Sequence, residues 1–291
     1  MKMGAKFGPA GNSDSFAAMK YKSSLDVPEY IVKMGLDAYE YQCGRGVNIS
    51  EEKARELGRL AAEKGVSLSL HAPYYISLAS AEEAKLDNSI NYILQSARAA
   101  DWMGAKRVVV HPGGKGKFER ADAVSLAIKT FSCAVKALDE EGLGHIILCP
   151  ETMGKINQLG DLDEIMQFCK VDERVLPCID FGHLNARTHG GLKTKEDFAK
   201  LLDTVENALG NERMKKFHAH FSKIEYSDGG EVRHLTFDDT VFGPEFDYLA
   251  ELMAERDCSP TIICESAGTQ AEDSQTMKRI YNEALAKCGA K

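Results

Sequence analysis

Short apolar runs alternate with longer amphipathic segments along almost the whole chain, and this alternation strongly constrains its fold. The apolar runs have the length of single β-strands, which we expect over residues 5–10, 37–42, 66–72, 107–113, 145–151, 176–182, 215–222 and 261–266. The segments between them have helical periodicity, and Ser50 before two glutamates predicts a helix N-cap. Eight strand-then-helix units predict an α/β fold, a (β/α)8 TIM barrel.

The chain has 291 residues, and a closed α/β barrel often runs to about 250 residues as one unit. No linker rich in proline, serine or glycine divides the sequence, so we expect a single domain over residues 1–291. One long interruption, 223–243, follows the seventh predicted strand. It is too long for an ordinary βα loop, and we expect it to shape the active site.

The net charge of −8 argues against broad electrostatic binding of nucleic acid. It does not exclude a local site, because bound divalent cations make a carboxylate-lined pocket attract phosphate. The N-terminus lacks the apolar core of a signal peptide, and no window has the length and apolarity of a membrane span. The eight cysteines show no paired spacing, and several lie in apolar runs as buried thiols would. These features predict a cytoplasmic monomer that does not bind membranes.

Residues able to bind metal end the predicted strands from the third to the eighth. They are His71, His111, Glu151, Asp180, His183, His218 and Glu265. In a barrel of this kind the C-terminal ends of the strands meet at one mouth, which is where functional residues lie. So many carboxylates and imidazoles would repel one another or shift their pKa values strongly without a cation. The sequence therefore predicts a metal centre.

The mixture of imidazole and carboxylate without thiolate favours zinc, with manganese or iron as other candidates. Glu151 has two oxygens and is able to bridge two ions about 3.5–4 Å apart, as in two-metal phosphoesterases.

Six segments resemble endonuclease IV, the family of metal-dependent abasic-site endonucleases built on a xylose isomerase-like TIM barrel. They are HAPYYISLAS, VVVHPGG, ETMGKINQLG, CIDFGH, HAHFSK and ICES. The resemblance runs from about residue 66 to 270 and is more specific for fold and metals than for substrate. It implies a hydrolase for DNA repair that cleaves the DNA backbone on the 5′ side of abasic sites.

The same resemblance implies two or three zinc ions and their ligands. His71, His111 and Glu151 would hold the first ion. Glu151, Asp180, His218 and Glu265 would hold the second, and His183 with His234 the third. Glu151 and Glu265 are the expected catalytic carboxylates, and Glu151 bridges the first two ions.

The chain departs from the family pattern at two places. Val232 stands where the family has an aspartate ligand to the third ion, and Glu231, Asp228 and His220 are the possible substitutes. The family's DNA-gripping loop after strand two has no clear counterpart here, where Arg45 offers one phosphate contact.

Four residues are candidate substrate contacts: Tyr74, Tyr75, Arg45 and Lys115. The tyrosines lie where the family inserts side chains into the duplex, and they either stack on a base or ribose or simply wall the barrel mouth. Lys115 either contacts phosphate or is a solvated loop lysine.

A second function remains open, a metal-dependent sugar isomerase or epimerase of the same barrel family. Such enzymes resemble the chain through Glu151, Asp180, His218 and Glu265 around one divalent ion. The two glutamates would then move protons beside a metal-polarised carbonyl of a small sugar. This alternative assigns no role to His71, His111, His183 and His234. The acidic charge and the altered strand-two loop favour it, whereas the extra histidines favour the phosphodiesterase.

Overall fold

The computed structural model describes residues 4–289, and its centre is a barrel of eight parallel strands. The barrel strands are β1 (Lys6–Pro9), β2 (Ala38–Gln42), β3 (Ser67–His71), β4 (Arg107–Val110), β5 (Ile147–Pro150), β6 (Cys178–Asp180), β7 (His218–Phe221) and β10 (Thr261–Cys264). They form two four-stranded sheets, β2-β3-β4-β5 and β1-β10-β7-β6. Parallel bridges Ala10–Glu40 and Glu151–Cys178 join the two sheets and close the barrel. The predicted (β/α)8 fold is confirmed.

Helices surround the barrel, as the amphipathic segments predict. They are α1 (Asp14–Ala18), α2 (Val27–Lys33), α3 (Glu51–Glu63), α4 (Glu83–Trp102), α5 (Arg120–Glu140), α6 (Leu162–Cys169), α7 (Phe181–Arg187), α8 (Lys195–Leu209), α9 (Asn211–Met214), α10 (Asp247–Glu255) and α11 (Gln270–Gly289). The Ser50 hydroxyl accepts a hydrogen bond from the Lys53 amide at 3.3 Å, so the predicted N-cap of α3 is confirmed. None of the helices in the described part of the chain is long and apolar enough to cross a membrane.

Aromatic side chains fill one part of the space between the barrel and its helices. The ring of Phe246 lies 5.0 Å from that of Phe221 and 6.2 Å from that of Phe7, both edge-to-face. All three are buried, and burial of such a side chain stabilises the fold by about 1.5–3 kcal/mol. This packing joins the start of α10 to β1 and β7.

The long segment after β7 is a β-hairpin of β8 (Lys223–Ser227) and β9 (Gly230–Leu235). It docks on the loop that follows β5. The Glu231 amide donates to the Gly154 carbonyl at 3.2 Å, and the Ile156 amide donates to the Gly229 carbonyl at 3.1 Å. Because this β5 loop leads directly from Glu151, the hairpin is held at the mouth of the barrel.

Candidate metal centre

The predicted strand-end residues converge at the C-terminal mouth of the barrel, with Glu151 in the middle. Glu151 is buried, and its two oxygens face different partners. Its Oε2 lies 3.2 Å from His71 Nε2 and 3.0 Å from His111 Nε2. Its Oε1 lies 3.2 Å from His220 Nδ1 and 3.3 Å from His183 Nδ1. One carboxylate therefore links two separate sets of histidines, which is the arrangement that a bridging ligand requires.

Of the five groups in the described chain whose ligand atoms lie within 4.8 Å of one another, three adjoining ones together contain every member except Cys178 and His218. They are His71–His111–Glu151, Glu151–Asp180–His220–Glu265 and His183–His234–Glu265. Glu151 belongs to the first two groups and Glu265 to the last two. The side chains of Glu151 and Asp180 are almost fully buried, and those of His111 and Glu265 are 13% and 14% exposed. The cluster is therefore enclosed at its base and reachable from the mouth.

His218 does not lie with the strand-end carboxylates. It starts β7, whereas His220 is two residues nearer the mouth on the same face of the strand. His218 Nε2 lies 2.9 Å from Glu40 Oε2, and its Nδ1 lies 3.5 Å from Arg107 Nη1. The structure brings His220 to Glu151, Asp180 and Glu265, in the position that the sequence assigned to His218. The polarity rule for barrels favours the histidine closer to the C-terminal end, and this signal was present in the sequence.

The hairpin supplies the residues expected for a third ion. His183 Nε2 lies 3.4 Å from Glu231 Oε2, and His234 Nε2 lies 4.0 Å from Glu231 Oε1 and 3.9 Å from Glu265 Oε2. Val232 is about half exposed. Among the substitutes expected from the sequence, Glu231 lies close to both His183 and His234.

The electrostatics of the cluster indicate strong coupling. Burial alone would raise the pKa of Glu151, but the charges of His220 and His111 hold that pKa well below its usual value. Burial raises the pKa of Asp180 to about 6. Burial lowers the pKa of His183, but Asp180 and Glu151 outweigh this effect and raise it to about 10. The imidazoles therefore stabilise the charge of Glu151, whereas the charge of Asp180 stays disfavoured by burial.

Asp180 shows that this donor set fits a cation. Its Oδ1 accepts a hydrogen bond from the His183 amide at 2.7 Å. Its Oδ2 is buried and has no aligned hydrogen-bond partner within residues 4–289, because His183 Nδ1, 3.1 Å away, donates instead to the Thr152 carbonyl. A buried carboxylate oxygen without a donor is costly, and a divalent cation beside Glu151 and Glu265 would satisfy it. Imidazole and carboxylate are suitable ligands for zinc, manganese or iron.

The candidate substrate contacts surround this centre. The Tyr74 ring stacks at 5.4 Å on His111 and meets His71 edge-on at 5.0 Å, while its hydroxyl donates to Gln42 at 3.0 Å. Tyr75 packs against Tyr92 of α4, with 4.7 Å between ring centroids. Both Tyr74 and Tyr75 keep about half of their surface exposed, at 54% and 51%. They therefore wall the mouth and still present aromatic surface to solvent.

Arg45 lies exposed in the turn after β2, one residue from Gly44. Gly44 leaves room for Tyr74, since a Cβ there would lie 2.4 Å from the Tyr74 ring. The Lys115 side chain donates to the Phe118 carbonyl at 3.2 Å and is partly exposed. Its loop lines a groove of about 640 Å³, together with Lys155, Asn157, Gln158, Ser227 and Glu231. Glu231 connects this groove to the metal-binding groups.

A closed eight-stranded barrel with imidazole and carboxylate groups clustered at its strand ends is an arrangement typical of barrel metalloenzymes. A family model described as a xylose isomerase-like TIM barrel matches residues 28–286. The chain belongs to this family.

Within the family, the chain is similar to uncharacterized and endonuclease-like proteins. It is 34% identical over 277 residues to the uncharacterized protein MJ0133 of Methanocaldococcus jannaschii, and this match spans 95% of this chain and 97% of that protein. It is 28% identical over 191 residues to a probable endonuclease 4 of Mycoplasma pneumoniae, and this match spans 64% of this chain and 63% of the relative. The expected resemblance to endonuclease IV is confirmed.

Two solved structures show the same fold. Endonuclease IV from Thermus thermophilus has a TM-score of 0.67 at 20% identity and covers 99% of this chain and 100% of its own. A D-tagatose 3-epimerase-like protein has a TM-score of 0.70 at 22% identity and covers 97% of this chain and 98% of its own. At these identities the likeness shows the fold and does not distinguish the two activities.

Proposed function

We propose that this protein is a metal-dependent phosphodiesterase that hydrolyses the DNA backbone on the 5′ side of abasic sites. The observation that carries the proposal is the set of three adjoining metal-binding groups. The first two share Glu151, and the last two share Glu265. A one-ion isomerase needs one such group, whereas phosphodiester hydrolysis by two or three ions uses all of them. The relatives named probable endonuclease 4 support the same assignment.

Zinc is the proposed metal, with manganese or iron as substitutes. When bound, such ions supply a nucleophile from water at neutral pH and neutralise charge on the phosphoryl group and leaving oxygen. In the proposed centre His71, His111 and Glu151 hold one ion, and Glu151, Asp180, His220 and Glu265 hold another. His183, His234 and Glu265 hold a third, and Glu231 lies close enough to His183 and His234 to serve as a further ligand.

The protein's own residues position the substrate. Tyr74 covers His111 and His71 on one side of the mouth and limits the access of water there. Its exposed face is suited to stacking on a ribose or an unpaired base. Lys115 and Lys155 line the groove beside Glu231, where a backbone phosphate would pass within reach of the metal centre. Arg45, exposed in the turn after β2, offers a further phosphate contact.

The second candidate is a sugar isomerase or epimerase. Glu151, Asp180, His220 and Glu265 by themselves form a complete four-ligand group, which is what a one-ion enzyme of this kind requires. In that case His71, His111, His183 and His234 have no assigned role in the chemistry.

The experiment is incision of a duplex oligonucleotide that carries one abasic site, with an undamaged duplex and a chelator-treated sample as controls. The variants are His111→Ala and, as a matched control, His145→Ala, because His145 is exposed, pairs with Asp101 and precedes β5, at the end of the strand opposite to Glu151. We expect chelator-sensitive incision that His111→Ala abolishes and His145→Ala retains. Metal-loaded protein that leaves the damaged duplex intact but epimerises a ketose would overturn the proposal.

A further inference from the structure

A buried carboxylate lies beneath the candidate metal centre, in a position that the sequence motifs did not indicate. Glu40 is in the middle of β2 and is fully buried. Its Oε2 accepts hydrogen bonds from Ser69 Oγ and His218 Nε2, both at 2.9 Å. Its Oε1 accepts one from Gln42 Nε2 at 3.2 Å. Three donors on three different strands therefore hold this carboxylate in one place.

The fourth neighbour of Glu40 is His220, which belongs to the candidate metal centre. His220 Nδ1 faces the centre, 3.2 Å from Glu151 Oε1 and 3.5 Å from Glu265 Oε1. Its other ring nitrogen, Nε2, lies 2.9 Å from Glu40 Oε1. That nitrogen is buried and has no aligned hydrogen-bond partner in residues 4–289. The ring therefore points one nitrogen at the proposed ions and the other at a fixed carboxylate.

His218 explains how Glu40 is kept in position. A guanidinium group donates hydrogen bonds and accepts none, so Arg107 Nη1, 3.5 Å away, faces the unprotonated Nδ1 of His218. The proton of His218 is then on Nε2, where it is donated to Glu40. Arg107 itself is anchored by the Lys216 carbonyl at 2.9 Å. Both nitrogens of His218 are occupied, which separates its role from that of His220.

We infer that Glu40 is a positioning residue, which accepts the Nε2 proton of His220 and thereby directs Nδ1 of that ring toward a bound ion. Histidine ligands commonly donate their second N–H to a carboxylate, which fixes the tautomer and strengthens the ligand. The same network reaches the barrel mouth, because Gln42 accepts the hydroxyl of Tyr74 at 3.0 Å.

This role of Glu40 rests on the metal centre of the proposed function and not on its DNA substrate. The test is Glu40→Gln, which preserves the size of the side chain and removes its charge. His218 and His220 face different oxygens of Glu40, so the NH2 group of a glutamine would face one of the two histidines and could not accept its proton. The control is Ser69→Ala, which removes another hydrogen bond to Glu40 at the same depth and does not contact His220. Zinc affinity is measured by competition with a chelating dye, and folding of the zinc-free proteins by thermal unfolding.

We expect Glu40→Gln to weaken zinc binding at one site about 10–100-fold, the range found for such supporting carboxylates. Ser69→Ala should leave zinc binding within about threefold of wild type, since His220 keeps its partner. Equal zinc affinity in Glu40→Gln and wild type would overturn the inference. A zinc-free Glu40→Gln protein that unfolds at the wild-type temperature would show that the lost affinity does not arise from a damaged fold.

A measurement on the wild type keeps the inference testable if Glu40→Gln does not fold. Long-range proton–nitrogen NMR of the zinc-loaded protein reports which nitrogen of His220 carries the proton. A proton on Nε2 with the ion on Nδ1 supports the role of Glu40, and the opposite assignment overturns it. In the cobalt-substituted protein, a thiolate charge-transfer band would mean that Cys178 ligates an ion together with His218 and His220, which also contradicts it.

Failure of the metal centre and failure of the substrate assignment give different results. Wild-type protein that takes up no zinc would overturn both the metal centre and the role of Glu40. Zinc binding that depends on Glu40, in a protein that does not incise abasic DNA, would support the role of Glu40 and overturn the substrate assignment alone.

Discussion

We expect ionised Asp180 to lower the free energy of unfolding of the metal-free protein, although it is a ligand in the proposed metal centre. Its side chain is fully buried, and its Oδ2 has no aligned hydrogen-bond partner in the described chain, although His183 Nδ1 lies 3.1 Å away. Burial raises its pKa from 3.8 to about 6. This shift of about two units corresponds to about 3 kcal/mol at about 1.4 kcal/mol per unit, as the cost of keeping the buried group ionised at neutral pH.

The perturbation is Asp180→Asn, which removes the charge and keeps the shape. The asparagine carbonyl is still able to accept the His183 amide hydrogen bond. The raised pKa of Asp180 already includes the attraction of His183, so neutralisation should stabilise the metal-free protein by up to about 3 kcal/mol. For a domain of this size, roughly 2–4 °C per kcal/mol gives an increase of up to roughly 6–12 °C in the unfolding midpoint.

The assay is thermal unfolding of chelator-treated wild type, Asp180→Asn and the control Asp228→Asn at neutral pH, repeated with zinc. Asp228 lies exposed in the hairpin turn, so its substitution should change neither measurement. Zinc should raise the midpoint of wild type by more than that of Asp180→Asn, because a bound ligand stabilises the folded state that binds it and this variant lacks a ligand to one of the proposed ions. A metal-free Asp180→Asn protein less stable than wild type, or one that gains equally from zinc, would refute the reasoning.

The pH dependence of this effect has a definite sign. The folded-state pKa of Asp180 lies above its unfolded value, so the folded protein binds this proton more tightly. The contribution of Asp180 to stability is therefore lost as the pH rises from about 4 through about 6. The stability difference between metal-free Asp180→Asn and wild type should accordingly be small near pH 4 and reach its full value at neutral pH.

Two further substitutions test how the backbone builds the site. A Cβ at Gly154 would lie 2.7 Å from Glu231 Cβ and 2.9 Å from His183 Cδ2, so Gly154→Ala should displace the hairpin and weaken the ion of His183 and His234. Metal stoichiometry and affinity measure this change, and Gly229→Ala is the control because its nearest neighbour atom would lie 3.8 Å away. A Cβ at Gly8 would meet the Ala38 carbonyl carbon at 2.3 Å, between β1 and β2. Gly8→Ala should therefore destabilise the barrel by more than the usual overpacking cost of about 1–3 kcal/mol, whereas Gly4→Ala, with open space, should not. Chemical denaturation measures both, and equal stability of the two variants would contradict the close approach of these strands.

The sequence by itself determined the barrel and the location of the site. Alternating apolar runs and amphipathic segments have few arrangements that bury every apolar face, and a closed parallel barrel is one of them. The parallel order then brings the C-terminal ends of all strands to one mouth. For this reason His71, His111, Glu151, Asp180 and Glu265 were identifiable from the strand ends alone.

Tertiary structure decided which side chains meet within that mouth. His218 and His220 share one face of β7 and both contact Glu40, and the position of β7 in the barrel determined that His220 also reaches Glu151. The sequence shows a charged residue, Glu40, inside the apolar run 37–42, but it does not show that the partner of Glu40 is His218, 178 residues further along the chain. The sequence left Glu231 as one of several candidate ligands, and the docking of the hairpin on Gly154 places it near His183 and His234. The local sequence pattern indicates where strands end. Contacts between distant side chains depend on the register of the strands, the rotamers of the side chains and the docking of the hairpin, which the local pattern does not encode.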